Sequence, residues 1–156
     1  MTSWAREQAK KSKQAEAKRE ELREWAVYQA REFPAKARRL WERLAGEINR
    51  NVDEFNEEFS ADESKQFLFA NHSLEIIIRR TYMPEVRVIV NFNETSKSVD
   101  FERAITRASY AEPHPAVGSF FFHFAETGDL YLTDRAATIV SCEEVAHAIL
   151  EPIFKL

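Results

Sequence analysis

The sequence predicts an α+β fold: a long, kinked N-terminal helix packed on an antiparallel meander sheet of five or six strands, with a short C-terminal helix. Three observations carry this. An apolar stripe from Leu22 to Phe59 advances in steps of three or four without losing phase, the signature of one helical face. After the polar run Ser60-Ala61-Asp62-Glu63-Ser64 the apolar period changes from 3.6 to 2, which marks strands with one buried face. Ser141 and Glu144, three residues apart ahead of an apolar run, form the capping-box pattern that opens a helix. A chain of 156 residues is the usual size of one domain.

Residues 1–21 are polar apart from Trp4 and scattered alanines. They are good helix formers, but a helix with no face to bury is marginal in water, so a frayed basic helical arm is expected. The domain proper is 22–156, with a long helix over 22–59, a sheet over 66–140 and a helix over 142–151. The stripe reads Leu22, Ala26, Ala30, Phe33, Ala37, Trp41, Leu44, Ile48, Val52, Phe55, Phe59. Pro34 removes a backbone donor inside it, yet Phe33 continues to Ala37 in phase, so a kink is expected. A tight hairpin at Phe33-Pro34 is the alternative. A helix over 22–59 would be roughly 57 Å long, against about 40 Å for a compact globule of this size. It must bend back, project or meet a second chain.

Strands follow at Phe67-Leu68-Phe69, Leu74 to Ile78, Val86 to Phe92, Val99 to Ile105, Phe120 to Phe124 and Leu130 to Leu132, with Thr138-Ile139-Val140 as a short addition. Ser109 to Gly118 reads as a long connection, and Gly128 supplies the left-handed position of a bulged hairpin turn. Pairing about Met83 sets Ile76 against Val90 and Ile78 against Val88, and so Ile77 against Ile89 on the opposite face. Equal parity sets Phe124 against Leu130 and His123 against Tyr131. One face is then wholly apolar, with the Trp41 to Phe59 stripe as its cover. Arg103 breaks that face, which calls for a bulge turning it outward or an acidic partner such as Glu47 or Glu54. Pro152 is expected to end the last helix.

Function is less legible. Residues 1–43 hold twelve Lys/Arg against seven Asp/Glu, net +5, while the remainder holds ten against nineteen, net −9. A basic arm on an acidic body points to a polyanion, to a neighbouring copy, or to nothing beyond a solvated helix. No apolar run is long enough to cross a bilayer, so no membrane partner is expected. Cys142 is the single cysteine, compatible with a reducing compartment, and 1–21 lacks the apolar core of a signal peptide; the expected location is cytoplasmic. Three scattered glycines exclude a Gly-rich phosphate loop. Glu144-x-x-His147 has a metal-ligand spacing, but no second such motif accompanies it and Glu144 is already a cap. His72, His114 and His123 form no ligand set. Cys142 in a first helical turn reads as a small buried residue rather than a nucleophile. No catalytic, cofactor or metal residue is assigned.

Two candidate surfaces remain. The second sheet face carries Ile77, Ile89, Phe121, His123 and Tyr131, a candidate partner or ligand face. The helical stripe carries Leu22, Trp25, Phe33 and Trp41, a candidate self-association surface. The leading expectation is a non-catalytic interaction module, a homo-oligomer (dimer) or a binder of a protein partner. The alternatives are a nucleic-acid module using Lys10, Lys11, Lys13, Lys18 and Arg19 with Arg38 and Arg39, and a small-ligand binder on the second sheet face.

Overall fold

The computed structural model describes residues 3–108 and 114–156. Its elements are α1 (Trp4–Glu58), a single 3-10 turn (Glu63–Lys65), β1 (Leu68–Asn71), β2 (Glu75–Arg80), β3 (Glu85–Asn93), β4 (Ser98–Thr106), β5 (His114–Phe124), β6 (Leu130–Thr133), β7 (Ile139–Val140) and α2 (Cys142–Phe154). The fold is α+β. The chain groups into two compact units, Met1–Ala35 and Lys36–Leu156.

In the first unit α1 starts at Trp4, so the basic arm lies in the helix, and Pro34 lies inside it. The Ser3 hydroxyl accepts the Arg6 backbone N–H at 3.2 Å, an N-cap that satisfies one of the donors a helix start leaves open. Trp25 and Tyr28, three residues apart on one side, stack with ring centroids at 5.4 Å. Arg31 lies over the Tyr28 ring at 5.7 Å.

In the second unit the rest of α1 buries Ala37, Trp41, Leu44, Ile48 and Val52, the expected stripe. At its end the Asn56 amide accepts the Phe67 N–H at 2.9 Å and donates to the Phe67 carbonyl at 2.8 Å. A side chain thus stands in for a strand and sets Phe67 before β1 begins.

The sheet has seven antiparallel strands in the order β1-β2-β3-β4-β5-β6-β7, where five or six were expected. The seventh is β7, the short addition expected at Thr138-Ile139-Val140. β7 has two residues, matched to Leu132 and Thr133, and an edge strand so short carries no alternation of its own. β5 begins at His114, not Phe120: Pro115 pairs with Ala104 and Gly118 with Phe101. Prolines and small residues read as a loop, but the ladder of β4 recruits them. Of the expected Ser109 to Gly118 connection, 109–113 lies outside the described residues. The registers Ile76↔Val90, Ile77↔Ile89, Ile78↔Val88, Phe124↔Leu130 and His123↔Tyr131 are as parity dictates. Gly128 has φ 90°, the left-handed turn position that favours glycine.

Both helices of this unit cover the apolar face. Trp41 meets Phe92 with ring centroids at 5.9 Å, and Phe55 stacks on Phe154 at 4.3 Å. The Ser141 hydroxyl accepts the Glu144 N–H at 3.1 Å and the Glu144 carboxylate accepts the Ser141 N–H at 3.3 Å, closing the capping box. α2 runs past Pro152 to Phe154, where it was expected to stop, because a proline removes one donor while Ile149, Leu150 and Ile153 keep their buried side.

Arg103 corrects a further expectation. No bulge turns it outward: β3 and β4 pair continuously with Val88 opposite Arg103. Neither Glu47 nor Glu54 meets it, since both pair with Arg50. Its guanidinium donates to the Ile149 carbonyl at 3.0 Å and lies 5.6 Å from the Phe101 ring centre. The long stem spans apolar surface and the charged end finds a helix carbonyl, which parity in the strand does not reveal.

Candidate interaction surfaces

The second sheet face is built by the residues that alternate away from the helices. Ile77 and Ile89 are directly paired, flanked by Ala70 on one side and by Glu102 and Val117 on the other. His123 and Tyr131 are directly paired too, with ring centroids 5.8 Å apart. Phe121 lies two residues along β5, between Ser98 and Thr133.

The structure therefore makes two clusters, Ile77 with Ile89 and His123 with Tyr131 and Phe121. Between them is a polar row that the sequence reading missed. One oxygen of Asp100 accepts the Ser98 hydroxyl at 2.9 Å and the Ser119 hydroxyl at 2.7 Å; the other accepts the Asn93 amide at 3.3 Å. Three donors satisfy one half-buried carboxylate, which locks the register of β3, β4 and β5 where the face would otherwise be slippery. Parity alone places Asp100 and Ser119 in one row, but hydroxyl direction requires coordinates.

Along the helical stripe, Leu22 is 59% exposed and Trp25 half-buried, whereas Phe33 and Trp41 are buried. Val27, outside the stripe, is 58% exposed.

Cys142 opens α2 with its thiol 3.7 Å from the Leu40 carbonyl. Burial pushes this thiol above its ordinary range; Arg43 opposes the shift and Glu47 adds to it. A raised pKa keeps the thiol protonated and slow to react. Native Cys142 is expected to alkylate with iodoacetamide at least about tenfold more slowly than in urea. The linkage has a definite sign. The folded state favours the neutral thiol, so this contribution to stability is complete below the ordinary thiol pKa and is lost as pH rises toward the raised one. The difference in melting temperature between wild type and Cys142→Ala should therefore shrink in alkali, and a constant difference would contradict the assignment.

No described helix is long and apolar enough to cross a membrane. No protein-family model, curated protein or solved structure matches the chain.

Proposed function

We propose that this chain is a non-catalytic interaction module that self-associates through the first part of α1, with Leu22 and Trp25 as the contact. The observation that carries the reading is the exposure of Leu22, 59%, at the start of the apolar stripe, one turn before the half-buried Trp25. An isolated helix has no second side on which to bury apolar residues, and helices in water owe most of their stability to such burial. The Trp25–Tyr28 stack adds rigid aromatic area, the kind of surface that anchors interfaces.

Charge favours a second copy as the partner. The net +5 of residues 1–43 meets its complement in the net −9 of the remainder of the same chain. Association between copies is then attractive and weakens with salt.

Sedimentation equilibrium of the full chain tests this. A dimer at micromolar concentration is expected, with Leu22→Arg shifting it to monomer while the helical circular dichroism persists. A monomeric wild type overturns the proposal. If that monomer binds mixed polynucleotide at low salt, the basic-arm reading takes its place.

A further inference from the structure

We propose that a pocket at the Arg80 end of β2 is a binding site for a small organic oxyanion, a carboxylate on an apolar body, held by the Arg80 guanidinium. Arg80 is only 5% exposed, and it ends the inward-facing series Ile76, Ile78, Arg80 on β2. Its position is fixed by two kinds of contact. Nε and Nη2 both donate to the Pro84 carbonyl, at 3.2 Å and 3.1 Å. The guanidinium carbon lies 4.9 Å from the centre of the Phe67 ring.

These contacts leave the charge without a counter-ion. No ion pair to Arg80 occurs among the described residues, and a buried guanidinium without a carboxylate is costly. Burial alone lowers its pKa, with no acid acting in the other direction, though an arginine stays charged throughout the physiological range. Among the described residues, no fully buried side-chain nitrogen or oxygen lacks a hydrogen-bond partner. The Nη1 N–H groups, which make no bond to any described residue, must therefore reach an open surface.

That surface is a cavity of about 310 Å³ lined by Arg80, Thr81, Tyr82, Leu68, Gln66 and Glu63. The lining suits one class of ligand. With the Nε/Nη2 edge on Pro84, the other end of the guanidinium, Nη1 with the second Nη2 N–H, carries the parallel donor pair that a carboxylate accepts. The Thr81 and Tyr82 hydroxyls are further donors beside it. Gln66 already donates its amide to the Phe59 carbonyl at 2.7 Å, which leaves its oxygen as an acceptor for a ligand hydroxyl. Leu68, 63% exposed, and the Tyr82 ring offer an apolar wall for the body of the ligand. Glu63 is the one lining group that repels an anion, and it lies exposed on the 3-10 turn beside Lys65.

The full chain labelled with 15N, titrated with benzoate and separately with inorganic phosphate at constant ionic strength in chloride, tests the site. The Arg80 Nε–H, held against Pro84, gives a resolved side-chain signal to follow. Benzoate is expected to shift that signal and the amides of Leu68, Thr81 and Tyr82 saturably, with phosphate weaker because it leaves the apolar wall unused. Arg80→Gln should weaken benzoate by about tenfold or more. Should that variant fail to fold, Glu63→Gln provides an independent arm: removing the like charge at the rim should tighten benzoate by about twofold to fivefold. Saturable binding of phosphate but not benzoate would overturn the carboxylate assignment. The site itself is overturned if neither probe saturates by about 10 mM, if a folded Arg80→Gln binds as wild type does, or if Glu63→Gln leaves the affinity unchanged.

Discussion

Trp41→Ala is expected to lower the unfolding free energy by about 3–5 kcal/mol, the cost of emptying a large aromatic site in a packed core. Trp41 is 1% exposed, and it joins α1 to β3 and to the turn between β1 and β2. Its ring meets Phe92 on β3, and its indole N–H donates to the Ser73 carbonyl at 2.6 Å. Ser73 has φ 71°, a left-handed conformation that a non-glycine residue adopts only under constraint. The indole bond and the Arg38 bond to the Ser73 hydroxyl at 2.8 Å supply that constraint. Alanine removes the ring and also leaves the Ser73 carbonyl short of a donor. Trp41→Phe separates the two effects: it keeps much of the ring volume and should cost about 1–3 kcal/mol, chiefly for the lost hydrogen bond. Urea unfolding followed by circular dichroism measures both. A loss below about 1 kcal/mol for the alanine variant would show that Trp41 is not the keystone of this interface.

Gly118→Ala is expected to cost about 1–3 kcal/mol, an overpacking effect in a strand where alanine is otherwise ordinary. Gly118 pairs with Phe101 across β4 and β5, and the Phe101 ring lies over the glycine where a methyl group would have to go. The ring is not free to swing aside at no cost. It stacks on Phe120 with centroids 6.1 Å apart, and the Arg103 guanidinium lies against it. A double-mutant cycle with Phe101→Leu provides the check. If the glycine exists to seat this ring, Gly118→Ala should be much less harmful on the Phe101→Leu background, with a coupling of at least about 0.5 kcal/mol. Simple additivity would assign the glycine to backbone freedom instead.

Several features of the fold were legible because they depend on period alone. The inward and outward sides of β2, β3, β5 and β6 follow from a repeat of two, so the pairs Ile77 with Ile89 and His123 with Tyr131 are correct although no distance was known. The α2 cap was legible because Ser141 and Glu144 satisfy each other within one turn. Arg80 was equally available, as the third member of the series Ile76, Ile78, Arg80, but a charged residue at a strand end reads as a terminus rather than as an inward position. Arg103 is legible as a break in the buried row, but its partner is not, because a helix carbonyl far along the chain leaves no acidic residue to mark it. The first half of β5 is not legible because its pairing is imposed by the neighbouring ladder of β4, not by its own composition.

What the sequence alone determined is therefore the local and periodic part: a long helix with one apolar stripe, strands with one buried face, a capped closing helix, and a charge split between the first 43 residues and the rest. The tertiary structure decided which groups meet across long separations. It put a donor triad on Asp100, left Leu22 and Val27 exposed, and gave Arg80 a ring and a carbonyl but no acidic partner among the described residues. Period is a property of consecutive residues, whereas satisfaction of a buried charge depends on which distant backbone arrives beside it, and only the folded chain fixes that.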